Sequence, residues 1–76
     1  MSPKLPVLSG DDLIKALTKF GYKAVRQEGS HVRMRHSTEP QRQPLTVPRH
    51  KTLKLGLLRR ILREARISVE QLTDAL

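Results

Sequence analysis

The chain lacks cysteine and tryptophan, and Phe20 and Tyr22 are its only aromatic residues. Without cysteine there is no disulfide framework, no Cys-type zinc finger and no thiol nucleophile, a usage that fits a reducing cytoplasm. With two aromatic rings, folds that stack unpaired bases on aromatic platforms have too little to stack on. Long apolar runs are missing as well. Nothing approaches the roughly 18 apolar residues of a membrane span. Residues 1–8 carry one Lys and two Pro, not the apolar centre of a signal peptide. Negative charge is scarce: seven Asp and Glu stand against 15 Lys and Arg, a net charge of +8, with a pI near 10.9. A preference for cationic partners is excluded, and nucleic acid, an anionic membrane surface or an acidic protein is favoured.

What is present fits one domain of 76 residues, with 1–8 as an N-terminal extension and 9–76 as the core. A chain this short buries only roughly 60% of its unfolded surface, so a stabilising partner or self-association is expected. Charge is concentrated in the middle. Residues 22–51 carry seven Lys and Arg against two Glu, and all three histidines, His31, His36 and His50.

The first third reads as a helix over 10–20. Ser9 and Asp12 form a capping-box pair, Asp11 and Asp12 suit the positive end of the helix dipole, and Leu13, Leu17 and Phe20 repeat at helical spacing with Ile14 beside them. Gly21 stands where a left-handed terminator is wanted. Residues 22–27 read as a short strand, and Glu28-Gly29-Ser30 as a turn. His31 to His36 alternates polar and apolar. On a strand this sets His31, Arg33 and Arg35 on one face and Val32, Met34 and His36 on the other. Residues 37–44, with two prolines, read as a hairpin loop, and Leu45-Thr46-Val47 as a third strand closed by Pro48. In the last third Leu55, Leu58, Leu62 and Ala65, with Ile61 alongside, make an apolar helical face, and Arg59, Arg63 and Arg66 a basic stripe. Ser68 and Gln71 form a second capping box before a short helix ending near Ala75. The order is α-β-β-β-α with a short C-terminal helix, an α+β fold with a three-stranded antiparallel sheet. The helices should cover Val32 and Met34, leaving the His31 face to solvent or a ligand.

Gly29-Ser30-His31 is the sharpest local feature. Glycine allows a tight turn, Ser30 can hydrogen-bond backbone or phosphate, and an imidazole can give or take a proton near neutrality. RNA cleavage needs a proton acceptor, a proton donor and cations on the phosphate. His, Arg and Lys supply these without metal. The plain alternative is a surface histidine at a strand start. His36, on the apolar parity, reads as structural. Pro48-Arg49-His50-Lys51 reads either as a phosphate-binding turn or as a solvated loop. The spacing does not favour a zinc site: His31 and His36 face opposite ways and only Glu28 and Glu39 are near. No cofactor is expected. The arginine stripe has the polarity for a membrane surface, but its Leu, Ile and Ala are needed in the core and no Trp or Phe anchors it.

Taken in order, Leu5-Pro6, Ser9-Gly10, the Leu13/Leu17 helix, Gly21-Tyr22, Val25-Arg26-Gln27, Gly29-Ser30-His31, Leu45-Thr46-Val47-Pro48-Arg49-His50 and Leu58-Arg59-Arg60-Ile61-Leu62 resemble the HicA toxin family, also called YcfA-like. The resemblance runs from about Leu5 to Leu72. It implies a fold like that of double-stranded-RNA-binding domains and an mRNA interferase of a type II toxin–antitoxin pair. It implies that His31 is essential for cleavage and that a HicB-type antitoxin masks the active surface. Gly29, Ser30 and His50 match the family's positions too. Two departures fall at helix ends: Arg66 where the family often has Gly, and Leu57 where it often has Thr. The expected RNA contacts are Gly29, Ser30, Arg26, Arg33, Arg35, Arg49, His50 and Lys51. A double-stranded RNA-binding module without catalysis, or an adaptor for an acidic protein, are the alternatives, and replacement of His31 separates them from a ribonuclease.

Overall fold

The computed structural model describes residues 4–76. Three helices and three strands follow in the order α1 (Gly10–Lys19), β1 (Tyr22–Glu28), β2 (His31–His36), β3 (Leu45–Pro48), α2 (Leu55–Ala65) and α3 (Val69–Ala75). This is the α+β, α-β-β-β-α arrangement with a short terminal helix.

Each helix boundary has a local cause. Asp12 N–H donates to Ser9 Oγ at 3.0 Å and Ser9 N–H to Asp12 Oδ2 at 3.4 Å, so α1 opens on a complete capping box. Its last helical residue is Lys19, with Phe20 as the cap, one residue short of the expected end. Gly21 then turns the chain at φ +94°, and a Cβ there would lie 2.6 Å from the His36 ring, so both conformation and space demand glycine. Ser68 and Gln71 cap α3 in the same reciprocal way. α2 ends differently. Arg66 sits at φ 58°, with its N–H donating to the Arg63 carbonyl at 3.1 Å and Ile67 N–H to the Leu62 carbonyl at 2.9 Å. That is a Schellman motif, which glycine usually completes, and here an arginine takes the left-handed position.

The strands form an antiparallel meander in the order β1-β2-β3. β2 alternates as expected: Val32 and Met34 are buried, while His31, Arg33 and Arg35 are exposed. α1 and α2 cover the Val32/Met34 side, and Leu13, Leu17, Leu45, Val47, Leu58, Ile61 and Leu72 complete the core. Fully burying such a side chain contributes about 1.5–3 kcal/mol. Leu55 departs from expectation. It is 52% exposed, because it stands on the first turn of α2, before the helix reaches the sheet. Of the expected N-terminal extension, residues 1–3 lie outside the described residues. Leu8 belongs to the core, buried and accepting the Leu53 N–H at 2.7 Å.

A bulge on β1 sets the geometry of the exposed face. Ala24 pairs with Met34 and Arg26 with Arg33, so Val25 is an extra residue in the strand. Strict alternation from Lys23 would turn Arg26 and Glu28 inward. The bulge reverses the phase, bringing both to the face of His31, as bulges beside functional sites commonly do. β1 also runs one residue further than expected: Glu28 pairs with His31, leaving Gly29-Ser30 as a two-residue turn. Gly29 is at φ +57°, the glycine-first pattern of a type II′ hairpin.

Candidate nucleic-acid interface

The outer face of the sheet carries a groove of about 580 Å³ lined by Val25, Arg26, Glu28, His31, Arg33, Arg35 and Thr46. β2 supplies His31, Arg33 and Arg35 by simple alternation, and the re-phased end of β1 supplies Val25, Arg26 and Glu28. Arg33 Nη1 donates to Thr46 Oγ1 at 3.0 Å, which fixes that guanidinium across the face. Arg26 forms an ion pair with Glu28. No hydrogen bond or ion pair among the described residues engages the His31 ring or the Arg35 guanidinium.

Two pairs on this face are of like charge and directly opposite: Lys23 with Arg35 and Arg26 with Arg33. Like charges facing one another across strands weaken a sheet. Such an arrangement gains from an anion laid across it, and guanidinium groups suit the bidentate binding of a phosphate. The chemistry available is a titratable imidazole, one carboxylate and three arginines in one open groove. No group of three or more His, Cys, Asp or Glu side chains stands together as a metal site among the described residues.

The remaining expected contacts lie elsewhere. Gly29 and Ser30 form the turn at the groove's end, and nothing approaches a Cβ built on Gly29 within 4 Å. Ser30's carbonyl accepts the Arg49 N–H at 2.7 Å, which ties the 48–51 segment to the turn. Arg49, His50 and Lys51 are exposed but do not line the groove. Arg49 is already engaged: Nε donates to Asp11 Oδ1 at 2.8 Å and Nη2 to Oδ2 at 3.3 Å. That hydrogen bond holds the Asp11 carboxyl below its ordinary range and raises Arg49. The Gly10 N–H donates to the His50 carbonyl at 2.8 Å, and a Cβ on Gly10 would meet the Pro48 carbonyl at 2.0 Å. This segment is therefore pinned to the start of α1.

His36 is structural. Its Nε2–H donates to the Phe20 carbonyl at 2.9 Å, while Nδ1 accepts the Glu39 N–H at 3.1 Å and the Thr38 N–H at 3.3 Å. These partners select the neutral ring protonated on Nε2. Its edge packs on Tyr22, with centroids 5.1 Å apart.

Sequence reasoning missed Glu28, Val25 and Thr46 as members of the groove. Glu28 was within reach: a two-residue turn makes its flanking residues cross-strand partners. The bulge left no such signal.

A family model described as the HicA toxin of bacterial toxin–antitoxin systems matches residues 10–67. No curated protein and no solved structure matches the chain.

Proposed function

Because the chain belongs to the HicA toxin family of bacterial toxin–antitoxin systems, we propose that it is an endoribonuclease that needs no metal, cleaves mRNA and so arrests translation in the cytoplasm. The observation that carries this reading is the groove, where one unpartnered imidazole lies among Arg26, Arg33 and Arg35. The 2′-oxygen of the substrate attacks phosphorus, the bond to the 5′-oxygen breaks, and a 2′,3′-cyclic phosphate and a 5′-hydroxyl result. His31 is an acid–base group in these transfers. The arginines hold the phosphate and stabilise the charge that builds on its oxygens. Ser30 offers a further donor at the turn. Arg49, His50 and Lys51 extend the positive surface along the strand of RNA beyond the cleaved bond. A HicB-type antitoxin, presenting carboxylates to the same face, buries His31 and neutralises the toxin.

The purified protein is expected to cut a transcript in the presence of EDTA, and His31→Gln is expected to lose cleavage while still folding and binding RNA. Equal cleavage by the two would leave a double-stranded RNA-binding module in place of an enzyme, since reading of shape alone does not need the imidazole.

A further inference from the structure

The groove contains one anion. Glu28 stands directly opposite His31 across the two-residue turn, lines the same groove, and has a side chain 67% exposed. A surface built only to hold a polyanion loses affinity by presenting a carboxylate to it. The bulge at Val25 is what carries Glu28 onto this face. The charged groups around it are Arg26 on its own strand and His31, Arg33 and Arg35 on β2; β3 contributes only the uncharged Thr46.

We propose that Glu28 is the second proton-transfer group of the ribonuclease, the base that takes the proton of the attacking 2′-hydroxyl, with His31 as the acid. This assignment rests on the ribonuclease reading above. Cross-strand partners have Cβ atoms about 4.5–5.5 Å apart, and side chains diverging from such a pair can flank one phosphate. In-line displacement puts the attacking and leaving oxygens on opposite sides of phosphorus, so the two groups have separate oxygens to serve. The Glu28 carboxylate accepts the 2′-hydroxyl proton as the bond from that oxygen to phosphorus forms. The His31 imidazolium gives its proton to the 5′-oxygen as the bond from phosphorus to that oxygen breaks. Hydrolysis of the cyclic phosphate then returns both groups to their starting states with the roles reversed. Arg26 ties the carboxylate to the phosphate-binding arginines and fixes its direction.

The test uses the full-length protein on one transcript in EDTA, comparing wild type, Glu28→Gln, Glu28→Asp and Arg26→Gln across weakly acidic to weakly basic pH. Wild type should give a bell-shaped profile. Glu28→Gln should cut about a hundredfold to ten-thousandfold slower, melt with wild type, and bind RNA at least as tightly because an anion is gone. The inflection of its acidic limb should vanish: the rate should climb steadily with pH as hydroxide replaces the base, and level off where the imidazolium is lost. Glu28→Asp should keep both limbs at a reduced rate. Arg26→Gln breaks the same ion pair and should weaken binding while keeping the acidic limb. If Glu28→Gln cuts as fast as wild type, the assignment falls and the role of His31 stands. If Arg26→Gln loses the acidic limb as Glu28→Gln does, the carboxylate only positions Arg26 and the assignment falls. If Glu28→Gln is slow only because it melts early and binds poorly, the carboxylate is structural. Wild type that binds the transcript without cutting it overturns the ribonuclease reading and this assignment together.

Discussion

His31 and His36 bound the same six-residue strand, yet their rings sit in opposite layers of the molecule. The ring of His36 is wedged against Tyr22, gives its one proton to the Phe20 carbonyl and receives two backbone N–H groups on its other nitrogen. The ring of His31 faces a groove of arginines and has no partner among the described residues. The distinction comes from parity. Positions an odd number of steps apart on a strand lie on opposite faces, so His36 closes the loop that follows β2 while His31 is left facing the groove. The same contrast runs along the sheet: Val32, Met34, Leu45 and Val47 are buried on the inner side, while two outward pairs, Lys23/Arg35 and Arg26/Arg33, set like charges face to face.

The largest expected effect separates the two histidines. His31→Ala should lose about a hundredfold to ten-thousandfold in cleavage rate with a melting curve within about 0.5 kcal/mol of wild type, as for other exposed side chains. His36→Ala should do the reverse. Its loss strands the Phe20 carbonyl and two amides and opens a gap beside Tyr22, which costs about 1–3 kcal/mol and lowers the midpoint by several degrees, while each molecule still folded cuts normally. Single-turnover rates beside thermal melts check both. A His36→Ala protein that is fully stable but inactive would reverse the comparison.

The neighbouring pair Met34 and Arg35 sharpens it on the axis of stability. Met34→Ala, at a fully buried position, should cost about 2–5 kcal/mol. That is a large part of the 5–15 kcal/mol that typically holds a domain folded. Arg35→Ala should leave urea unfolding almost unchanged and weaken RNA binding instead.

The third effect is electrostatic and smaller. Each phosphate contact released should lower the slope of log affinity against log salt by roughly 0.7–0.9. Arg33→Ala should therefore flatten the salt titration by about one such step, whereas Arg49→Ala should flatten it less, because Asp11 already holds that guanidinium. An equal loss for the two would mean that RNA displaces Asp11 and that the 48–51 segment contacts phosphate as closely as the groove does.

The legible part of this molecule was the part governed by period and by local capping. Alternation in His31 to His36 gave both faces of β2, and Ser9/Asp12 and Ser68/Gln71 gave two helix starts that the structure contains. Gly29 and Ser30 marked the turn, and alternation left His31 exposed beside it. The bulge was not legible, because Tyr22 to Glu28 reads as a weakly alternating strand with or without an extra residue, and the phase is decided by pairing with β2. The engagement of Arg49 was hidden for the same reason: Asp11 lies thirty-eight residues away in the chain. Leu55 fitted the helical stripe but stands before the helix meets the core. Local signals set the elements, and long-range pairing decided which charges are spare.

The smallest expected effect tests whether the outer face gives up stability for binding. Lys23 and Arg35 are direct cross-strand partners, both exposed. Replacing the repulsion by attraction with Lys23→Glu should stabilise the fold, since an opposite-charge pair at such a position contributes about 0.2–1 kcal/mol. In a domain of this size 1 kcal/mol moves the midpoint by roughly 4–8 °C, so the gain lies within reach of a careful melt. The gain should shrink at high salt, because both groups are in solvent and are screened beyond about 3 Å at 1 M. RNA affinity should move the other way. One cation is gone, the new carboxylate occupies Arg35, and the salt slope should fall by about one to two phosphate contacts. A protein that is both more stable and a weaker RNA binder is what a face shaped for a polyanion predicts. If Lys23→Glu instead melts with wild type and binds RNA equally well, the like charges are too well solvated to matter, and the binding surface is confined to the groove around His31, Arg26 and Arg33.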